Sequence, residues 1–256
     1  MDANSHEALL QRRAAERLTW RGPAMMLFAR AAIAVVAQGL TAAIFVLRSS
    51  STPWHDTEPW LPVYGTLIDA GCLAFLWRLT KQEGIRLMDL FGYDRTRVTR
   101  DILIGIAIVP ASIAIIYAGT YAGGWVVYGS PAEPFYFGTL PLSAALYGVL
   151  VWPFIWGFTE QMTYNGYLLP RFQVLCRNTT LAVTIVGLVW ALQHSFMPLT
   201  FDRKFMAYRF VSAIPHSIFL TILYLKFRRL LPLAVTHALL DGASVFVSAL
   251  LPLIKT

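Results

Sequence analysis

Long apolar runs are the feature of this sequence that most limits how the chain can fold. A helix needs about 20 consecutive apolar residues to cross the hydrocarbon layer of a bilayer. Seven segments approach or exceed this length, at roughly 24–47, 59–79, 101–123, 139–170, 179–197, 208–226 and 231–253. A transmembrane β-barrel would instead show short strands of alternating polarity. The sequence therefore predicts an all-α fold, a polytopic transmembrane helical bundle of about seven spans.

The composition supports the same class of protein. Hydrophobic residues make up 57% of the 256 residues and charged residues only 14%, which is far from the average of a soluble domain. The net charge of +7 would suit nucleic acid if the basic side chains formed one patch, but they lie between the apolar runs. We therefore expect membrane lipid, and no nucleic acid, among the partners of this chain.

The first 23 residues are predicted to be a separate unit, an amphipathic cytoplasmic segment that precedes a membrane domain at 24–256. Within this unit, residues 4–20 are expected to form a helix that begins at Asn4 or Ser5 and lies on the membrane surface. A second basic and amphipathic segment, at 81–100, is also expected at the interface. The apolar positions of the first helix share one face: Leu9, Leu10, Ala14 and Leu18.

The distribution of basic residues predicts the orientation. With the N-terminus in the cytoplasm, 15 of the 21 Lys and Arg residues fall in inner segments and 5 in outer segments, while Arg30 lies within a span. Such an excess is typical of cytoplasmic loops. The expected topology has the N-terminus inside and the C-terminus outside, and the expected location is a bacterial inner membrane.

Four polar side chains inside the apolar runs are the candidate functional residues: Glu160, His194, His237 and Asp241. An ionisable group at membrane depth is costly, so it marks a functional site by default. His237 and Asp241 are four residues apart, which places them on one face of a helix. A carboxylate and an imidazole in a low-dielectric pocket can activate a water molecule.

Distances along the predicted helices place two of these groups at a similar depth. Glu160 lies 11 residues before Arg171, about 16 Å along a helix, and His237 lies 8 residues after Arg229, about 12 Å. His194 lies about 25 Å from the nearest basic anchor on that side and fits less well. We therefore expect a site about halfway across the bilayer, reached from the cytoplasmic side.

Three motifs follow one another along the chain, at 160–166, 190–194 and 237–241. They read Glu160-Gln161-x-x-x-Asn165-Gly166, Trp190-x-x-x-His194 and His237-x-x-x-Asp241. These motifs resemble those of the CPBP family of intramembrane proteases (CAAX protease and bacteriocin-processing, also called Abi). The pattern of that family is EExxxR followed by a glycine, then FxxxH, then HxxxN or HxxxD. The resemblance covers about 139–245, and the first three spans are compatible with it.

The resemblance implies a helical membrane bundle that hydrolyses peptide bonds. The family's water-activating glutamate and histidine correspond to Glu160 and His194. The family's oxyanion-stabilising pair corresponds to His237 and Asp241. An ionised Asp only accepts hydrogen bonds, so Asp241 must either be protonated or orient His237.

Two positions depart from the family pattern. Gln161 replaces the second glutamate and Asn165 replaces the arginine. Losing one carboxylate and one guanidinium keeps the local charge balanced, and a neutral hydrogen bond between the two residues can replace the ion pair. A compensated, active variant is favoured, and a non-catalytic member of the family is the alternative. Trp190 is expected to support the site by packing rather than by contacting substrate.

Three further polar residues lie within predicted spans. Arg30 and Asp69 are expected to form a structural ion pair, or Arg30 extends to the interface. His216 follows Pro215, and its ring is expected to bond to backbone groups that the proline leaves free.

The function predicted from these features is that of an intramembrane endopeptidase acting on a membrane-embedded or lipid-modified peptide or protein. A catalytically inactive scaffold or immunity-type protein that binds a peptide in the same cavity is the main alternative. A transporter is disfavoured because no internal repeat is found. Two His with Glu and Asp could ligate zinc, but no HExxH helix is present. A glutamate mechanism without metal or other cofactor is favoured.

Overall fold

The computed structural model describes residues 4–132 and 137–255, and this part of the chain is built from helices. Residues 1–3 of the predicted N-terminal unit, residues 133–136, and Thr256 at the end of the predicted membrane domain lie outside the described residues. The α-helices are α1 (His6–Ala14), α2 (Arg21–Leu47), α3 (Leu61–Gln82), α4 (Val98–Tyr128), α5 (Leu142–Leu150), α6 (Trp152–Gln161), α7 (Leu169–Cys176), α8 (Thr179–Gln193), α9 (Arg203–Phe227), α10 (Leu231–Val245) and α11 (Leu251–Ile254).

Shorter helical turns join or extend these helices. Two π-helical stretches, Met162–Leu168 and Phe246–Leu250, continue α6 into α7 and α10 into α11. The 3₁₀ turns are His55–Trp60, Leu87–Leu90, Arg95–Arg97 and His194–Phe196.

The prediction of an all-α bundle with about seven spans is confirmed. Within the described residues, six helices are long and apolar enough to cross a membrane, and a bent pair supplies a seventh span. That pair consists of α5 and the continuous helix from Trp152 to Cys176, which meet at 41°. The break lies at Val151, where α5 ends and α6 begins. Pro153 occupies the first turn of α6, where its missing N–H breaks no intrahelical bond.

The N-terminal helix is shorter than expected, because α1 ends at Ala14 and the chain turns at Glu16, whose φ is +57°. Ser5 is the N-cap, and its hydroxyl accepts a hydrogen bond from the backbone N–H of Ala8 at 3.3 Å. Leu9 and Leu18 form a small buried cluster with two residues of α7, Val174 and Leu175. Two residues of the predicted apolar face, Leu10 and Ala14, are exposed. The segment therefore docks onto the bundle through only part of the predicted face.

The helix that carries the first motif lies at the centre of the bundle. Every residue from Thr159 to Phe172 is buried, whereas the long helices α2, α4 and α9 expose much of their surface. α6 packs against both α3 and α10, and α10 also packs against α4. Gly157 permits the close approach of α6 to α10, because a Cβ at this position would lie 3.1 Å from the carbonyl oxygen of Ala234. This approach brings the first and third motifs together.

Candidate active site

Glu160, in the last turn of α6, is the centre of the polar cluster. Its side chain is fully buried, and both oxygens accept hydrogen bonds from α8. Trp190 donates from Nε1 to Oε2 at 2.9 Å, and Gln193 donates from Nε2 to Oε1 at 2.7 Å. A buried carboxylate needs such donors to offset its lost hydration. The second motif therefore contacts Glu160 through Trp190 and through the residue just before His194.

His237, from α10, faces Glu160 and Asp241 with the same ring nitrogen. Its Nε2 lies 3.5 Å from Oε2 of Glu160 and 3.5 Å from Oδ2 of Asp241. Both distances exceed those of a normal N–H···O hydrogen bond. Its other nitrogen, Nδ1, lies 3.3 Å from the amide nitrogen of Gln161. The first and third motifs thus meet at this imidazole.

The two residues that depart from the family pattern are bonded to each other. Asn165 donates from Nδ2 to Oε1 of Gln161 at 2.7 Å, which is the neutral i,i+4 hydrogen bond that their spacing suggested. With its oxygen engaged, Gln161 presents its NH₂ group to His237, so Nδ1 accepts and the ring hydrogen lies on Nε2. A glutamate at position 161 could only accept a hydrogen bond from His237, so it would favour the tautomer with the hydrogen on Nδ1. Gln161 therefore sets which nitrogen of His237 is the donor.

His194 stands at the edge of this cluster, in the 3₁₀ turn that follows α8. Its Nδ1 lies 3.1 Å from the carbonyl oxygen of Trp190 and 3.2 Å from that of Ala191. A backbone carbonyl only accepts, so Nδ1 carries the hydrogen and Nε2 keeps a free lone pair. Among the described residues, His194 makes no hydrogen bond to Glu160. The structure therefore brings Glu160, His237 and Asp241 together, with His194 a half-buried neighbour.

Sequence reasoning missed two polar residues that support Glu160. Gln193 accepts a hydrogen bond from the hydroxyl of Tyr164 at 2.8 Å while donating to Glu160. The ring of Tyr164 stacks on Trp190, with centroids 5.1 Å apart and planes 7° apart. The signal for Gln193 was available, since it is a polar residue in an apolar run next to a motif histidine.

A π-helical stretch, Met162–Leu168, begins directly after the Glu160–Gln161 pair. Such turns are rare and occur often at functional sites, where they change the direction in which side chains point. This one contains Tyr164 and Asn165, which bond to Gln193 and Gln161 respectively. Nothing in the sequence indicated it.

The predicted ion pair between Arg30 and Asp69 is present, at 2.9 Å between Nη1 and Oδ1. The alternative, in which Arg30 extends to the interface, is wrong because its side chain is fully buried. Arg30 also reaches Glu160, with Nε 3.3 Å from Oε1, a contact that the sequence did not suggest. For His216 the expected backbone bond is not found, since its Nε2 is buried without a hydrogen-bond partner in the described part of the chain.

The same polar side chains are the candidates for holding a metal ion. In residues 4–132 and 137–255, no group of three or more His, Cys, Asp or Glu side chains is arranged to hold a metal ion. Glu160 directs both oxygens to N–H donors, and His194 uses Nδ1 on the backbone. The polar groups are thus arranged as a hydrogen-bonded network.

Comparison with known proteins concerns the same part of the chain. Residues 141–243 match the family model of the type II CAAX prenyl endopeptidase Rce1-like family, and this stretch contains all three motifs. The resemblance to the CAAX-protease family is confirmed. The matched family is one of intramembrane endopeptidases of the CAAX-protease type. The chain described here is an integral membrane protein. The helices α1 to α4 lie outside the matched stretch. No curated protein and no solved structure matched the chain.

Proposed function

We propose that this protein is an active intramembrane endopeptidase that hydrolyses a peptide bond of a membrane-embedded or lipid-modified substrate. The observation that carries the proposal is the meeting of the Glu160 carboxylate with the His237 imidazole inside an apolar bundle. Two ionisable groups brought together at membrane depth from different helices are costly to maintain without a function. The family match supports the reaction class.

In the proposed reaction, Glu160 is the general base. A water molecule positioned by Glu160 and by the free Nε2 of His194 loses a proton to the carboxylate as its oxygen attacks the scissile carbonyl carbon. The C–O bond forms, and the carbonyl becomes a tetrahedral oxyanion. Glu160 then returns the proton to the nitrogen of the leaving amine as the C–N bond breaks. Each carboxylate oxygen has two lone pairs, so Oε2, which accepts one hydrogen bond from Trp190, keeps a lone pair for the water.

His237 is proposed to stabilise the oxyanion. Its Nε2–H lies 3.5 Å from each of two carboxylates, so neither contact is tight enough to hold the hydrogen away from a developing negative charge. Asp241 then orients the ring and needs no proton of its own. The proposal is therefore compatible with an ionised Asp at the last position of the third motif.

No metal or other cofactor is part of this proposal. The hydrogen-bonded network around Glu160 supplies the base, the positioning groups and the oxyanion donor from side chains alone. A chelator of divalent cations is therefore expected to leave cleavage unchanged. Reversible inhibition by the chelator, restored by zinc, would contradict this part of the proposal.

The proposed setting is a bacterial inner membrane with the N-terminus in the cytoplasm. The excess of basic residues in the predicted inner segments supports it. The proposed partners are membrane lipid and a peptide or protein substrate.

The competing function is that of a catalytically inactive scaffold or immunity-type protein that binds a peptide in the same place. The replacement of two charged family residues by Gln161 and Asn165 is the observation that favours it. The bonds from Asn165 to Gln161 and between Gln161 and His237 favour a compensated, active site instead.

The test compares the peptide termini in host membranes that carry wild type or Glu160→Ala. Termini produced only by wild type would establish proteolysis and identify the substrate. Glu7→Ala, which removes an exposed carboxylate from α1, is the matched control and is expected to behave as wild type. Identical termini with wild type and Glu160→Ala, both present in the membrane and folded, would support the scaffold.

A further inference from the structure

Arg30 is a fully buried guanidinium that contacts two carboxylates from two other helices. It lies on α2, Asp69 on α3 and Glu160 on α6, and all three side chains are buried. Nη1 lies 2.9 Å from Oδ1 of Asp69, and Nε lies 3.3 Å from Oε1 of Glu160. The guanidinium also stands 4.1 Å above the ring of Trp156. Neither Arg30 nor Asp69 lies in the stretch that matches the family model.

A purely structural ion pair would need only one of these carboxylates. A buried arginine is stabilised when one carboxylate and additional hydrogen bonds satisfy it. Arg30 instead forms ion-pair contacts with Asp69 on one side and with the candidate general base on the other. The planar guanidinium fork holds a fixed geometry, so an arginine held by Asp69 presents Nε to Glu160 in a defined place.

The contact affects the two oxygens of Glu160 differently. Oε1 faces Arg30 and Gln193, whereas Oε2 faces Trp190 and His237. Fixing Oε1 therefore leaves Oε2 directed at the imidazole proposed to bind the oxyanion. Position 165, five residues after the base, carries a neutral Asn, so this positive charge comes from a different helix.

We propose that Arg30, held by Asp69, is the positioning residue for the Glu160 carboxylate. It anchors Oε1 so that Oε2 faces the attacking water. Arg30 is buried among helices rather than exposed to a cavity, so it acts through Glu160 and does not bind the substrate. This inference rests on the proposed function, because it assigns Glu160 as the base.

The test uses the full-length protein in liposomes with the substrate identified from the membrane termini. Arg30→Gln is expected to lower kcat by about 100-fold, the effect of a small displacement of a catalytic group, with KM changed by less than about threefold, since the substrate contacts remain. Arg30→Lys retains the charge and is expected to recover part of kcat. Arg48→Gln, which removes an exposed arginine just beyond the end of the same helix, is the control. A kcat within about threefold of wild type in Arg30→Gln, or a loss confined to KM, would overturn the proposal.

A second measurement does not depend on activity. Thermal unfolding is compared for wild type, Arg30→Gln, Glu160→Gln and the double variant. Coupling predicts that Arg30→Gln lowers Tm less in the Glu160→Gln background, where only Asp69 is left without its cation. Equal shifts in both backgrounds would show that the two side chains do not interact and would overturn the proposal. If wild type and Glu160→Ala give identical termini, the proposed function fails. The Tm values of the four proteins then still test whether Arg30 and Glu160 interact.

Discussion

Two buried arginines in this protein are neutralised in opposite ways. Arg171 donates to both oxygens of Glu83, from Nε and Nη2 at 2.7 Å each, and Nη1 also donates to Asn4 and to the carbonyl of Tyr167. Arg12 lies 3.4 Å from the same Glu83. This Arg171 cluster therefore gives one carboxylate two guanidinium partners. In the Arg30 cluster, formed with Asp69 and Glu160, one guanidinium serves two carboxylates.

The difference corresponds to two roles: the Arg171 cluster stabilises the fold, and the Arg30 cluster contains the proposed catalytic base. A bidentate pair in which every guanidinium nitrogen donates is among the strongest polar contacts that a protein makes. The Arg171 cluster uses this strength to attach the N-terminal segment to the bundle, since Asn4 also donates to the carbonyl of Gly166 at 2.8 Å. The Arg30 cluster has one more carboxylate than guanidinium, and one of its two carboxylates is the proposed general base. Removing one carboxylate from each cluster should therefore have opposite consequences.

The largest effect is expected from Glu160→Gln, which keeps the shape of the side chain and removes its charge. Loss of a general base lowers the rate by about 10²- to 10⁴-fold. Arg30 keeps Asp69 as its counter-ion, so the free energy of unfolding should change less than it does in Glu83→Gln. The measurements are cleavage of the native substrate and thermal unfolding in detergent. Retained cleavage would remove Glu160 from the mechanism.

The reverse pattern is expected from Glu83→Gln. This change leaves Arg171 buried without its carboxylate, and breaking a buried pair by removing one partner costs about 3–5 kcal/mol. The folded fraction should retain its kcat, because Glu83 has no contact with Glu160 among the described residues. Glu7→Gln, on the exposed surface of α1, is the matched control. If Glu83→Gln and Glu160→Gln change unfolding equally, the distinction between the two clusters is wrong.

A smaller effect that sharpens the comparison is expected from Gln161→Glu. The new carboxylate accepts a hydrogen from Nδ1 of His237, which removes the hydrogen from Nε2. Loss of one oxyanion donor lowers kcat by about 10²- to 10³-fold, with a Tm close to that of wild type. Cleavage at the wild-type rate would show that the tautomer of His237 does not matter.

Adding Asn165→Arg to Gln161→Glu then separates the active protease from the scaffold. Loss of an activity that wild type possesses identifies a compensated variant. A gain of activity from none identifies a protein whose site had lost its function.

The sequence predicted what depends on local hydropathy and spacing. The spans lie within about six residues of the expected limits, and the last one, α10 to α11 at 231–254, lies within one. The pair Arg30–Asp69 was also foreseen, because two opposite charges in apolar spans have few other partners. Contacts that depend on the rotation of each helix about its axis were not foreseen. A central helix that is buried on all sides shows no contrast between a buried and an exposed face that would indicate its orientation, so the contact of Arg30 with Glu160 could not be predicted.

The same limit explains the other differences. The π-helical stretch after Gln161 contacts α2, α3, α8 and α9, and contacts with distant parts of the chain cannot be read from the local sequence. After the early end of α1, the turn at Glu16 leaves Leu18 packed with Leu9 against α7, a long-range contact that local spacing does not reveal. The depth expected from the sequence fitted His194 less well than the other candidates, and the structure places His194 beside the Glu160 cluster rather than bonded within it.

The pairing of Arg30 with Asp69 also has a consequence for biosynthesis. Chains are made from the N-terminus, so α2 and α3 enter the membrane before α6 exists. A lone charge at the centre of a helix disfavours insertion by about 2.5–3.5 kcal/mol. Entering as a hairpin lets α2 and α3 neutralise each other's charges during that interval. Asp69 is then the counter-ion that neutralises Arg30 before Glu160 has been synthesised, and it keeps that contact in the folded protein.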